Sequence, residues 1–182
     1  MLTHHLAEGA ELRALEPWNA GEFAEHVARA RDHLRPWIPW GTTIVDEQTA
    51  REFLQSFADD QAKGGRRIYG IWLDGTLVGG TLFRTFDARV GVCEVGVWLE
   101  PSATGRGLVT TAVRGMIEWA VCARGMSRVE WYCNVDNKPS IAAAQRLGLT
   151  CEGVLRDLGT LNGTRYDVQV WSILAAEWRS RT

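Results

Sequence analysis

Glu94-Val95-Gly96-Val97-Trp98-Leu99-Glu100-Pro101-Ser102-Ala103-Thr104-Gly105-Arg106-Gly107-Leu108-Val109 sets a strand, a glycine-bearing loop and the start of a helix in direct succession. Val92 to Leu99 reads as a strand, and it stops at Glu100-Pro101 because proline cannot extend a central ladder. Beyond the loop, Leu108, Val109, Ala112, Val113, Met116, Ile117 and Ala120 recur at helical spacing, with Arg114 and Glu118 on the polar side and Gly125 closing the helix. A loop in this position turns its free N–H groups, and the positive end of the helix, toward an anion.

Two glycines before a helix are equally the mark of a plain structural turn. No Gly-Lys-Ser/Thr follows, so this is not a nucleotide-hydrolysing loop, and Thr110 stands where a dinucleotide fingerprint needs its third glycine. A second segment sharpens the reading. Asn134-Val135-Asp136-Asn137-Lys138-Pro139-Ser140 joins the next strand to the next helix and again offers amides, a hydroxyl and a cation at a helix start. Asn137 and Ser140 serve equally as ordinary helix caps; together with the first loop they imply an extended, phosphate-bearing ligand.

Outward from these segments, Glu11 to Leu15 alternates as a strand, and Asn19 with Glu22 resembles a capping box opening a helix to about Leu34. Pro36 and Pro39 leave Arg35 to Trp40 irregular, so Trp37 and Trp40 either line a pocket or cap the core. Asp46 caps a second helix that ends at Gly64-Gly65. Ile68–Leu73 and Thr76–Phe83 are strands joined by Asp74-Gly75, the dipeptide favoured in a two-residue hairpin. Val129–Cys133 is a strand, Ser140–Leu147 a short helix ended by Gly148, and Cys151–Gly159 and Arg165–Leu174 are two further strands.

The 182 residues are 46% hydrophobic with a net charge of −2, which predicts one ordered domain over residues 1–182 with a real core and no membrane span. Residues 1 to 65 hold six Lys/Arg against 11 Asp/Glu, and residues 66 to 182 hold 14 against 11, so an anionic ligand prefers the second part. A pI near 6.1 without a basic stripe argues against nucleic-acid binding. Cys93, Cys122, Cys133 and Cys151 lack metal-ligand spacing and read as reduced, buried small hydrophobes. His4, His5, His26 and His33 read as solvated or helix-surface residues. The start carries no secretory pattern, which makes a cytoplasmic location the expectation.

Glu94-Val95-Gly96-Val97-Trp98-Leu99, the Gly105-Arg106-Gly107 loop, Asn137 with Ser140, Leu147-Gly148, Glu152-Gly153-x-Leu155-Arg156, Asn162-Gly163 and Tyr166-Asp167 follow in an order that resembles the GNAT acyltransferases, within them the ribosomal-protein-alanine N-acetyltransferase-like branch. The resemblance covers most of the chain and is strongest from Glu94 to Trp178. It implies an α/β (α+β) fold with a mixed, mostly antiparallel seven-stranded sheet, helices on both faces, and strands splayed near Leu99. It implies acetyl-CoA as cofactor and CoA as product, with Thr104, Gly105, Arg106, Gly107, Leu108 and Val109 at the pyrophosphate. Val97, Trp98 and Leu99 would lie along the pantetheine, Asn137 and Ser140 toward its thiol end, with Asn134 also among the cofactor-binding residues. Thr104 stands where the family usually has Gln or Arg, and Val109 where it has Gly or Ala, which predicts altered cofactor binding. Leu149 replaces the usual aromatic at a packing position.

Acetyl transfer to an amine needs a neutral nucleophile, and an α-amino group near pKa 8 is easier to deprotonate than a lysine near 10.4. The resemblance implies Glu94 as the candidate base, since such enzymes often place one at this sheet position, with a strand-end salt bridge as the plain alternative, and Ser140 is the candidate acid for the departing thiolate. Backbone N–H groups around Val97 and Trp98 would stabilise the oxyanion. The acidic first part and the Trp37/Trp40 loop point to a cationic acceptor with an apolar portion: a peptide N-terminus, an amine metabolite or an antibiotic. The alternative is a degenerate acyl-CoA-binding module; a dinucleotide oxidoreductase lacks its βαβ succession. Exposed strands or the tryptophan loop would serve a homodimer.

Overall fold

Helical apolar spacing and alternating strand runs become regular elements in the computed structural model, which describes residues 3–181. In chain order these are β1 (Thr3–Ala7), β2 (Ala10–Ala14), α1 (Ala20–Leu34), α2 (Trp40–Thr43), α3 (Glu47–Ala62), β3 (Arg67–Leu73) and β4 (Thr76–Asp87). They continue with β5 (Val92–Leu99), α4 (Leu108–Glu118), β6 (Arg128–Asn134), α5 (Lys138–Arg146), β7 (Thr150–Leu161), β8 (Thr164–Leu174) and α6 (Ala175–Arg179). The strands hydrogen-bond in the order β1-β2-β3-β4-β5-β6-β8-β7, so the sheet has eight strands and not seven. The additional strand is β1, paired antiparallel with β2. Its sequence hides it: His4 and His5 are both exposed, and among the described side chains of the strand only Leu6 is buried, so no alternation shows.

Contacts gather the chain into two compact units, Met1–Leu82 with Val97–Ala112, and Phe83–Gly96 with Val113–Thr182. The first unit carries β1 to β3 and packs α1 and α3 around Phe23, Val27, Leu34, Leu54, Phe57, Ile68, Trp72 and Trp98. Each large side chain fully buried there contributes roughly 1.5–3 kcal/mol of transfer free energy. Asp46 caps α3 as expected, accepting from the Thr49 amide at 2.8 Å. Asn19 does not cap α1: its side-chain oxygen accepts from the Glu16 amide at 3.1 Å and its amide nitrogen donates to Glu22, so the carbonyl side is spent on the preceding turn. Gly80 is required by close approach, since a Cβ there would lie 2.4 Å from the Trp98 ring and 2.3 Å from the Tyr69 carbonyl.

In the second unit β6 pairs antiparallel with β8, and β8 with β7. Phe83, Phe86 and Trp119 pack ring to ring at 5.1–5.7 Å, with Arg124 over two of them. The β5–β6 ladder is parallel and short, running from Val92↔Arg128 to Glu94↔Glu130. The β6 register stops at Glu94 while β5 runs on to Leu99, so only the β6-facing edge of β5 beyond Glu94 lies outside that ladder.

Candidate active site

Ala103 and Leu108 are buried and pin the loop at both ends, while Thr104, Gly105, Arg106 and Gly107 between them are exposed. The first helical bond closes from the Thr111 amide to the Gly107 carbonyl at 3.0 Å, so among the described residues no backbone carbonyl accepts from the amides of Gly105 through Thr110. Gly105 and Gly107 take φ of +78° and +74°, a region L side chains rarely occupy. A Cβ built on either meets nothing within 4 Å, so the space above them is open. Unpaired amides, a helix N-terminus, open space and the Arg106 cation fit a diphosphate. Thr104 departs from that role: its amide and its hydroxyl both donate to the Pro101 carbonyl, at 3.2 and 2.8 Å, which makes it a turn former. Leu108 faces the core, so only its amide is left for a ligand, and Val109 is half-buried.

The end of β5 is held by buried groups of its own unit. The Trp98 indole packs edge-on against Trp40 at 5.3 Å and donates to His26 Nε2 at 2.9 Å. His26 Nδ1 lies 2.7 Å from Glu100 Oε1, which also accepts from Arg29 at 2.9 Å. The expectation of a solvated His26 is therefore overturned: the ring is wholly buried, and desolvation pushes its pKa down despite Glu100. His33, also on α1, is exposed. The two loop tryptophans diverge: Trp40 belongs to a cluster with Phe23, Phe53 and Trp98, while Trp37 is on the surface. Val97 and Leu99, on the opposite face of β5 from Trp98, are partly exposed.

In the second unit Glu94 is 8% exposed, and burial raises its carboxyl from 4.5 to about 6, with Glu130 adding to the rise and Arg84 at 3.1 Å opposing it. A carboxylate at about 6 is ionised at neutral pH yet a stronger base than an exposed one. Glu130, opposite it on β6, is held by Arg128 at 2.7 Å and by the Tyr132 hydroxyl at 3.3 Å. Burial pushes the Tyr132 phenol upward, so it stays protonated.

Asn137 caps α5, its side-chain oxygen accepting from the Ser140 amide at 3.1 Å. The Ser140 hydroxyl accepts from the Trp131 indole at 3.0 Å and is hydrogen-bonded with the Cys133 thiol. Asn134 folds the turn, its side-chain oxygen accepting from the Asp136 amide at 2.8 Å. Cys93 and Cys133 are buried, and burial raises the Cys93 thiol to about 12. Cys122 and Cys151 are exposed, contrary to expectation, because β7 presents its residues to solvent and Cys122 sits on the outer side of a helical turn beside Glu118. All four are free thiols.

Sequence reasoning missed His26, Arg29 and Glu100. The available signal was a histidine on the apolar stripe of α1, one residue before Val27, where burial demands hydrogen-bond partners.

Residues 11–150 match the acetyltransferase (GNAT) domain family. The chain is 28% identical to a putative ribosomal N-acetyltransferase, YdaF, of Bacillus subtilis (strain 168) over 179 residues, 98% of each chain. It superposes with a TM-score of 0.87 on the microcin self-immunity acetyltransferase MccE in complex with acetyl-CoA and AMP, at 25% identity over 93% of this chain and 94% of that one. The fold is shared with RimL, a ribosomal-protein acetyltransferase in complex with coenzyme A, at a TM-score of 0.90 and 21% identity over 96% and 99% of the two chains. None of these favours a binding module without transferase activity. The chain belongs to the acetyltransferase (GNAT) domain family and is an acetyl-CoA-dependent N-acetyltransferase.

Proposed function

We propose that the acceptor is the N-terminal α-amine of a protein, of the ribosomal class named for the relatives. The observation that carries this reading is the buried Glu94 carboxyl at about 6. An α-ammonium near pKa 8 gives its proton to such a base over a gap of about two pK units, whereas a lysine near 10.4 faces more than four.

Acetyl-CoA supplies the acetyl group already activated as a thioester. The amides from Gly105 to Thr110 and the Arg106 side chain hold the diphosphate, while the backbone from Val97 to Leu99 offers hydrogen bonds to the pantetheine arm. Glu94 takes the ammonium proton of the acceptor, and amides around Val97 and Trp98 polarise the carbonyl. The neutral amine attacks the carbonyl carbon, the carbon–sulfur bond breaks, and Ser140, which accepts from Trp131, passes its proton to the departing sulfur as it takes up the proton that the attacking nitrogen loses. Asn137 and Asn134 shape the turn that presents Ser140. Trp37, the exposed member of the tryptophan loop, meets the acceptor chain, and the partly buried Trp40 backs the loop against the Phe23 ring. A ribosomal acceptor puts the reaction in the cytoplasm; among the described residues no helix is long and apolar enough to cross a membrane.

The test offers three acceptors at pH 7 with acetyl-CoA: a peptide with a free N-terminus, the same peptide N-blocked but containing lysine, and small amine metabolites. Acetylation of the free N-terminus at least tenfold faster than of the others supports the reading. Preference for a small amine makes the protein a metabolite or antibiotic acetyltransferase instead. Gly107→Trp, obstructing the loop, should abolish CoA binding by calorimetry in a folded protein.

A further inference from the structure

His26 has no solvent exposure, and its two ring nitrogens have different partners. An indole N–H only donates, so Nε2, 2.9 Å from Trp98 Nε1, must be bare, and the ring proton sits on Nδ1, 2.7 Å from the Glu100 carboxylate. Desolvation also favours this neutral tautomer, and protonating the ring would set N–H against N–H at Trp98. Glu100 is fixed further by Arg29, which also donates to the Leu77 carbonyl at 2.8 Å, and by its own amide on the Val78 carbonyl at 2.8 Å. One ring on α1 thus grips the residues on either side of Leu99, at the junction of β5 with the loop that begins at Pro101. On the other side the Trp98 carbonyl lies 2.5 Å from where a Cβ of Gly79 would be, so the backbone is held closely there too. A leucine or phenylalanine would fill the same space without the desolvation cost of an imidazole. The polar ring brings orientation.

We propose that His26 is a positioning residue for the cofactor, fixing through Trp98 and Glu100 the backbone that bears the pantetheine contacts and the start of the diphosphate loop. The inference rests on the reading of that backbone and loop as the cofactor site. His26 touches neither substrate; it acts on the two residues that flank Leu99.

The experiment is a double-mutant cycle with His26→Phe and Trp98→Phe, read by calorimetric titration with CoA, by steady-state kinetics and by thermal unfolding. Each single variant, folded, should weaken CoA binding and raise KM for acetyl-CoA about fivefold, roughly the effect of one lost hydrogen bond, with KM for the acceptor unchanged. The double variant should be no weaker than the worse single one, because both remove the same bond. Should His26→Phe fail to fold, Trp98→Phe carries the test with the nitrogen-15 shift of His26 Nε2, which must move when its donor is lost while CoA affinity falls. Singles that bind CoA within twofold of the unmodified protein, or losses that multiply in the double variant, overturn the proposal. Gly107→Trp separates the two levels: if it abolishes CoA binding while the cycle shows nothing, only the role of His26 fails, and if it binds CoA unimpaired, the loop assignment fails and the role of His26 with it.

Discussion

Replacing Glu94 by glutamine should cost activity and add stability at the same time. Burial lifts the carboxyl from 4.5 to about 6, so the folded state binds its proton more tightly than the unfolded chain does. Below about pH 4.5 both states are protonated and no penalty exists. Stability then falls as pH rises through about 6, and above it the full cost of the buried charge remains, about 2 kcal/mol at 1.36 kcal/mol per pK unit. Glutamine keeps the shape without the charge. Arg84, its side chain 58% exposed, returns to water when the carboxylate goes, so most of the gain should survive. Urea unfolding should therefore show Glu94→Gln more stable than the unmodified protein by about 1–2 kcal/mol at pH 8 and equal to it at pH 4. Turnover of the acceptor should fall about 10²-fold or more, and the acid limb of kcat/KM near pH 6 should vanish. A variant that keeps its rate and its acid limb would place the base elsewhere. One destabilised at pH 8 would make Glu94 a structural ion-pair partner of Arg84.

Ser140→Ala should slow turnover by about tenfold without abolishing it, since a thiol of pKa near 8.5 leaves with little help near neutral pH; a larger rate at pH 9 relative to pH 7 in the variant checks this. Trp40→Ala should lower stability by about 3–5 kcal/mol in urea unfolding by opening a hole beside Phe23, Phe53 and Trp98, whereas Trp37→Ala should leave stability within about 0.5 kcal/mol and raise KM for the acceptor. Gly80→Ala places a Cβ 2.3–2.4 Å from the Tyr69 carbonyl and the Trp98 ring, neither of which can yield freely, and should cost about 3 kcal/mol or more and weaken CoA binding through Trp98.

Much of the fold was legible because the signals were local. Asp46 capped its helix, Asp74-Gly75 closed a two-residue hairpin at φ of +49° and +79°, and the glycine loop opened α4. Where a signal was shared between two local uses, the reading slipped. Asn19 has both donor and acceptor groups, and its side chain turned backward to Glu16 instead of capping α1. β1 escaped because an edge strand that, among its described side chains, buries only Leu6 leaves no alternation to read. Cys122 and Cys151 were misjudged because exposure depends on which face of an element meets solvent.

The sequence by itself determined most of the elements after β1 and the amide-bearing loop, because turn chemistry, capping and apolar period act over a few residues; the candidate base and acid came from the resemblance to a family. Only the tertiary structure decided what those groups are worth. Glu94 reaches about 6 through burial and through Glu130 on a neighbouring strand, and His26 is dry and bridged to Glu100, 74 residues away. Desolvation and long-range hydrogen bonds are properties of the packed core, and no stretch of chain carries them until the strands and helices that exclude water have come together.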